Sequence, residues 1–271
     1  MVKAQTRELT LEIRKIDESN KQWIIDYLRQ GVVRHVFAFY DLRHDPEHTT
    51  MYAALESDRL SGYILIYTAL EFPSVVLECD VGTVGKLVEY APSDHFIMHA
   101  PSNLLAEIES RFPNAKHYIE NWMMVKKGEA NFFRSAHVRK LNAADGSRIA
   151  ALLPSRKDHP GTVDKKYTDW VGIMPTYGVF MDGDMVSYAG SFIQTPQIWM
   201  IGGVYTDLNH RNRGYATLAT SAITEEALRK SDAAALFVRL DNYPAISVYE
   251  KIGYKKIGEK LWIDVGTGMK P

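Results

Sequence analysis

The sequence predicts an α+β protein with mixed α/β sheets, not a doubly wound parallel fold. Two observations carry this. Short apolar runs bounded by turn residues alternate with amphipathic stretches, and hairpin signals are mixed with strand–helix–strand units. The same order of elements also occurs twice. Each half reads as strand, helix, three strands, helix, strand, helix, strand, although the residues themselves match poorly.

In the N-terminal half, Thr50–Leu55 is a short apolar run closed by the polar turn Glu56–Arg59. Ser61–Leu70 and Ser74–Cys79 are the next two strands. A glycine-containing segment, Gly82 to Gly85, then leads into Lys86–Tyr90. Phe96–Ala100 and His117–Val125 read as later strands. The polar tract between Lys126 and His137 breaks the pattern and marks the junction. We therefore expect domains over residues 1–130 and 134–271. After the junction, His137–Leu141 reads as a new first strand, and Asp145 as the cap of a helix over Arg148–Leu153. Pro154–Tyr167 is polar, with two prolines, and reads as either a loop or a mobile region over a site. Tyr177–Met181 is a strand, Asp182-Gly183 a hairpin turn, and Met185–Gln194 and Ile198–Thr206 the strands that follow.

Composition excludes several function classes. The chain has 271 residues, 46% of them hydrophobic and 24% charged, which is enough to bury a core and excludes wholesale disorder. Its 32 basic and 33 acidic residues leave a formal charge of -1, so no global field steers it to nucleic acid or to an anionic membrane. The one cysteine, Cys79, excludes an internal disulfide and a cysteine-rich zinc site, and suits a cytoplasmic setting. The N-terminal stretch is charged throughout, and no apolar run approaches the ~20 residues of a membrane helix. His44 and His48 are four apart, but Pro46 intervenes and no third ligand follows, so no metal is expected.

The stretch GGVYTDLNHRNRGYA, ending at Ala216, carries the most chemistry. A strand ends at Thr206, a loop runs from Asp207 to Arg213, and a helix opens near Gly214. Such an element aims free backbone N–H groups and the positive helix end at one point, which suits phosphate. Gly214 and the small Ala216 permit close approach, and Arg211 and Arg213 add charge. Glycine at a helix start and solvated arginines are the plain alternative. Neither GxxxxGK[ST] nor a strand–helix GxGxxG is present, so nucleotide-triphosphate and dinucleotide readings fall.

Arg211-Asn212-Arg213-Gly214-Tyr215-Ala216 resembles the R/Q-x-x-G-x-G/A signature of the GNAT superfamily of acyl-CoA-dependent N-acyltransferases. The second segment, ALFVRLDNYPAISVYEKIGY, resembles that family's strand, Asn-x-x-Ala helix and Tyr-x-x-x-Gly-aromatic close, with Asn242, Ala245, Tyr249, Gly253 and Tyr254 in those places. The match covers roughly His137–Asp264 and is similar to the branch related to glycine N-acyltransferases. The paired halves resemble members with a degenerate first copy. No arginine precedes Gly82–Gly85, and no Asn-x-x-Ala follows Phe96–Ala100.

The resemblance implies two GNAT-like domains and an N-acetyltransferase. It would move an acetyl or short acyl group from acetyl-CoA to a primary amine, of a small molecule, peptide or protein, by direct attack in a ternary complex. Arg211, Asn212, Arg213, Gly214, Tyr215 and Ala216 would hold the pyrophosphate of coenzyme A. Val204, Tyr205 and Thr206 would pair with its pantetheine arm if a bulge splays the strand, and Gly202-Gly203 marks either that bulge or a close-packed strand. Asn242 would cap its helix and touch the coenzyme. Tyr249 would be general acid or thiolate stabiliser, its alternative being core packing. The backbone N–H near Val204 would face the oxyanion. The strand Ile198–Tyr205 has no carboxylate, which leaves Asp241, His159, Asp207 or a water chain as base. The alternative function is a non-catalytic acyl-CoA-binding or scaffolding module.

Overall fold

Four residues in two hairpins set the frame. Ser57 and Asp58 have φ of 49° and 63°, and Asp182 and Gly183 have φ of 51° and 91°. Two consecutive positive-φ residues make the two-residue turn whose twist matches paired strands. The computed structural model describes residues 11–152, 171 and 173–266. The chain divides into two units. Among described residues the first comprises 11–120 and 259–266, and the second 121–258. The C-terminal strand thus changes unit at Glu259, whereas the sequence placed a single boundary between 130 and 134.

In the first unit the strand order is β1 (Leu11–Lys15), β2 (Thr49–Glu56), β3 (Arg59–Tyr67), β4 (Ser74–Cys79), β5 (Phe96–Pro101) and β12 (Lys255–Val265, from Glu259 on). Helices α1 (Lys21–Gln30) and α2 (Val36–His44) connect β1 to β2. Ile24, Leu28 and Phe39 bury against Met51, Tyr63, Leu65 and Val76 on one face of the sheet. Helices α3 (Val84–Leu87) and α4 (Leu105–Arg111) bury Val84, Leu87 and Ile108 against Val75, Leu77 and Met98 on the other. Alternate residues of β4 serve opposite faces, as the period of a strand requires.

The second unit runs β6 (Lys116–Lys126, from Asn121 on), β11 (Ala233–Arg239), β10 (Ile198–Thr206), β9 (Asp184–Gln194), β8 (Thr176–Met181) and β7 (Val138–Lys140). Helices α6 (Tyr215–Lys230) and α7 (Tyr243–Ile252) cover one face with Ala219, Ile223, Ala227 and Ile252 against Trp199, Ile201 and Leu236. Helix α5 (Gly146–Leu152) covers the other with Ile149 and Leu152 against Met185, Tyr188 and Tyr205. The result is the mixed α/β architecture read from the sequence.

The two units repeat local detail that residue identities conceal. In the β2–β3 hairpin, Leu55 pairs Leu60 and Ala54 pairs Gly62, so Ser61 is an extra residue. In the β8–β9 hairpin, Phe180 pairs Met185 and Val179 pairs Ser187, so Val186 is the extra residue. The bulge sits at the same distance from the turn in both. The parallel pairs repeat too. β4 meets β5 only over Ser74–Val76, and β10 meets β11 only over Ile198–Met200.

Several local expectations are corrected. Asn142, not Asp145, is the N-cap, because its side chain accepts from the Ala144 N–H at 2.9 Å. Asp145 is the reciprocal member of the capping box and accepts from the Asn142 N–H. The expected helix Arg148–Leu153 is Gly146–Leu152, preceded by a 3-10 turn at Ala143–Asp145. The third strand ends at Tyr67, leaving Leu70 exposed. Lys86–Tyr90 is split between α3 and a 3-10 turn at Val88–Tyr90. The segment Pro154–Tyr167, expected as a loop or mobile region, lies outside the described residues.

One buried carboxylate ties the second unit together. Glu226 of α6 accepts from Lys140 of β7 at 2.7 Å, from Lys230 at 2.7 Å and from Tyr177 of β8 at 3.0 Å. Burial alone would raise its pKa, but these hydrogen bonds outweigh burial and hold the carboxyl at about 2. A folded value below the ordinary 4.5 means that this stabilisation is complete above that pH and is lost as pH falls toward 2. Glu226→Gln should therefore unfold at lower denaturant at neutral pH, yet lose less stability than wild type over that acid window. Equal pH slopes in denaturant titrations of the two proteins would refute this.

Candidate functional site

The site begins with a defect in β10. Gly202 pairs Gly190 and Tyr205 pairs Tyr188, so Gly203 and Val204 stand against the single residue Ala189. Gly203 takes φ of 62°, a conformation that a side chain rarely adopts. The bulge is thus Gly203-Val204, immediately after the paired Gly202. On the other edge, β11 has left β10 after Met200. Val204 therefore lies outside both ladders, with main-chain groups that an extended ligand could pair. A second bulge flanks the first, because Met200 pairs Ile193 while Ile201 pairs Ser191, leaving Phe192 as the extra residue of β9. Its ring lies over Gly202, where a Cβ would come within 2.8 Å of it.

The chain continues from Thr206 into a fixed loop. Asp207 accepts from the Asn209 N–H at 2.9 Å and lies 2.8 Å from His210 Nδ1. Arg211 Nε donates to the Thr206 carbonyl at 3.4 Å, and its guanidinium lies 5.9 Å from the Tyr205 ring centroid. Asn212 and Gly214 have φ of 61° and 80°, so two left-handed residues bracket Arg213 and turn the chain sharply into α6. The first intrahelical bond of α6 is Leu218 N–H to the Gly214 carbonyl, at 3.1 Å. Tyr215, Ala216 and Thr217 therefore present backbone donors with no acceptor inside the helix, and no side chain caps this end. A Cβ on Gly214 would meet nothing within 4 Å among the described residues. Arg211, Asn212 and Arg213 are exposed, and Arg213 makes no ion pair among the described residues.

The second strand–helix junction is also built as its residues dictate. Asn242 accepts from the Ala245 N–H at 3.3 Å as the N-cap of α7, with Pro244 in the first turn. The helix ends at Gly253, φ 108°, where the Tyr254 N–H reaches the Tyr249 carbonyl at 3.0 Å. That 6→1 bond is a Schellman close, so the glycine of Tyr-x-x-x-Gly is required by the backbone. Tyr249 is buried, and its ring meets that of Tyr254 edge-on at 6.0 Å. Tyr254 in turn bonds Thr224 of α6 at 2.7 Å. Burial pushes the Tyr249 hydroxyl above the ordinary phenol pKa, and it has no hydrogen-bond partner among the described residues. Tyr249 packs in the core that Val204 and Tyr215 border.

Val204 and Tyr249 thus come to one core, while Arg211 folds back on Thr206 and Asn242 stands at its own helix end. Of the candidate bases, Asp241 is claimed by Arg239 at 2.8 Å, and those hydrogen bonds hold its carboxyl below the usual range. Asp207 is claimed by the cap and by His210, and His159 lies outside the described residues. Sequence reasoning missed Phe192 and the His210–Asp207 pair. The Asp207-x-x-His210 spacing could have signalled the pair, but nothing in the pattern marks Phe192 as a bulge. Among the described residues no group of three His, Cys, Asp or Glu could hold a metal ion, and no helix is long and apolar enough to cross a membrane.

Comparison with known proteins agrees with this fold. Residues 176–263 match the model of the FR47-like protein family. A Drosophila protein structure superposes with a TM-score of 0.73 at 12% identity, covering 93% of this chain and 98% of that one. A GCN5-related N-acetyltransferase from Sphaerobacter thermophilus gives 0.62 at 11% identity, covering 96% and 98%. A tandem GNAT protein from the clavulanic acid biosynthesis pathway gives 0.59 at 13%, covering 96% and 100%. No curated protein sequence matches significantly. The fold is that of the GNAT acetyltransferases, and the tandem likeness extends over nearly the whole chain.

The two helix-end glycines separate conformational strain from crowding. Gly214→Ala should cost about 1–2 kcal/mol through its positive φ alone. Gly253→Ala should cost more, because its methyl group would also lie 2.7 Å from the Glu129 carbonyl oxygen. Urea titrations that rank the two variants in the opposite order would contradict this.

Proposed function

We propose that the protein is an N-acetyltransferase, transferring an acetyl or short acyl group from acetyl-CoA to a primary amine in a ternary complex. The observation that carries this reading is the parted, bulged strand β10 running into the open donor row of α6. A phosphate-bearing ligand with an extended amide arm matches both halves of that arrangement. The coenzyme supplies an activated acyl group as its thioester.

In this reading Arg211, Arg213 and the N–H groups of Tyr215, Ala216 and Thr217 hold the pyrophosphate. Asn212 and Gly214 shape the turn that lets it approach. Val204, Tyr205 and Thr206 offer main-chain groups to the arm, and Asn242 flanks it from α7. The amine nitrogen attacks the acyl carbon, the carbon–sulfur bond breaks, and the amine proton passes to solvent. The Val204 N–H stabilises charge on the acyl oxygen. Tyr249, which burial keeps protonated, donates to the departing sulfur a hydrogen bond, or its proton, which solvent then restores. The lone Cys79 is buried in the other unit, which favours direct attack over an acyl-enzyme.

The first unit is read as a degenerate copy. It keeps the bulged hairpin and the three-pair parallel ladder, but α3 has four residues where α6 has sixteen. The acceptor is a small-molecule or peptide amine, with neither nucleic acid nor membrane as partner, and the setting is cytoplasmic. Similarity to the glycine N-acyltransferase branch rests on the sequence motifs alone. Absence of a carboxylate on Ile198–Tyr205 favours the second reading, a coenzyme-binding module without turnover.

Thiol release from acetyl-CoA across a panel of primary amines tests the proposal. Turnover with at least one amine is expected. Tyr249→Phe should lower kcat by tenfold or more while leaving coenzyme affinity within about twofold. Arg211→Glu should weaken coenzyme binding by at least tenfold. Tight coenzyme binding without turnover on any amine would select the module reading.

A further inference from the structure

The first unit carries a buried charge cluster that the coenzyme site does not use. Beyond Val76, β4 has left β5, and Glu78 lies on the same face of β4 as Val76. Its side chain is 3% exposed. Two cations reach it. Lys260 of β12 ion-pairs with it while itself 11% exposed, and Arg34 donates from Nε at 2.9 Å. Such burial is costly without partners, so the carboxylate fixes both cations as firmly as they fix it.

Arg34 is held from its own side too. It lies in the turn between α1 and α2, where the Arg34 and His35 N–H groups both bond the Gly31 carbonyl, at 2.9 and 3.1 Å. The neighbouring His35 ring is buried and lies 2.9 Å from the Tyr63 hydroxyl, on the strand residue paired with Glu78. Burial, followed by the charges of Arg34 and Lys260, pushes His35 down to about 4. Burial, followed by Arg34, pushes Lys260 down to about 7. Both groups thus feel the Arg34 charge.

One feature of this cluster has no structural use. The Arg34 side chain is 63% exposed and spends only Nε on Glu78. Its Nη1 and Nη2 donors meet no partner among the described residues. An arginine oriented through Nε presents the end of its guanidinium as two parallel donors, a geometry that matches a carboxylate. Two cations against one carboxylate leave at most a single positive charge, which suits a monoanion better than a phosphate dianion. The exposed Tyr27 ring lies 5.7 Å from that of His35, the residue after Arg34.

We propose that Arg34, positioned by Glu78 and Lys260, is the recognition arm of a second binding site, in the first unit, for a small organic carboxylate. The site is separate from the coenzyme loop and does not depend on the acetyltransferase reading.

Calorimetric titration of the full chain with acetate, benzoate, glycine and inorganic phosphate tests it, beside Arg34→Gln and Arg34→Lys. At least one carboxylate should saturate the wild type more tightly than phosphate does. Arg34→Gln should weaken that carboxylate at least tenfold. Arg34→Lys should also weaken it, because an ammonium cannot hold Glu78 and present two donors at once. Far-UV circular dichroism spectra should be the same in all three proteins, which reports that they are folded. No saturable carboxylate binding by wild type, binding of phosphate alone, or equal carboxylate affinity in Arg34→Gln would overturn the proposal.

Discussion

The second unit is organised around one broken ladder. Parallel strands normally gain by pairing along their whole length, yet β10 and β11 hold only Ile198–Met200 against Ala233–Ala235. Beyond that point the main chain must find other acceptors, stay wet or wait for a ligand, because unpaired buried backbone groups are expensive. The bulge at Gly203 and Val204 frees the opposite edge at the same height. Everything downstream follows from this opening. Helix α6 starts where β10 ends and α7 starts where β11 ends, so both helix N-termini stand at the carboxyl ends of the parted strands. Crevices of this kind are where open α/β sheets bind ligands.

Helix packing keeps that opening in place. Tyr254 closes α7 and hydrogen-bonds Thr224 of α6, and Tyr249 packs edge-on against it. Glu226 fastens the far end of α6 to β7 and β8. The strands that part are thus braced by helices that cannot easily follow them, and the donor row at Tyr215–Thr217 is preset rather than formed on binding. Such preorganisation reduces the ordering cost of association.

The sequence disclosed the fold because its signals were local. Asp182-Gly183 needs positive φ at both positions, and the short apolar runs in Ser74–Cys79 and Ile198–Thr206 have the length and β-branched or aromatic content of buried strands. Gly214 was legible as a point of close approach and Gly253 as a motif position, and both are left-handed helix ends in the structure. Signals failed where tertiary contacts decide. Asn142 and Asp145 are both good capping residues, and only the position of Arg139, which takes Asp145 at 2.7 Å, settles their roles. The strand change at Glu259 leaves no mark, since β12 reads as one continuous strand. Glu78, Arg34 and Lys260 are far apart in the chain, and each alone resembles an ordinary surface charge. The repeat sits between these extremes: bulge positions and ladder lengths recur while the side chains that fill them have diverged.

The most direct test of the central claim is amide hydrogen exchange of the full chain with and without coenzyme A, read by mass spectrometry. Binding at the broken ladder predicts added protection confined to peptides spanning Gly203–Thr206 and Tyr215–Thr217, with the first unit unchanged. Protection elsewhere, with those two segments exchanging as before, would contradict it.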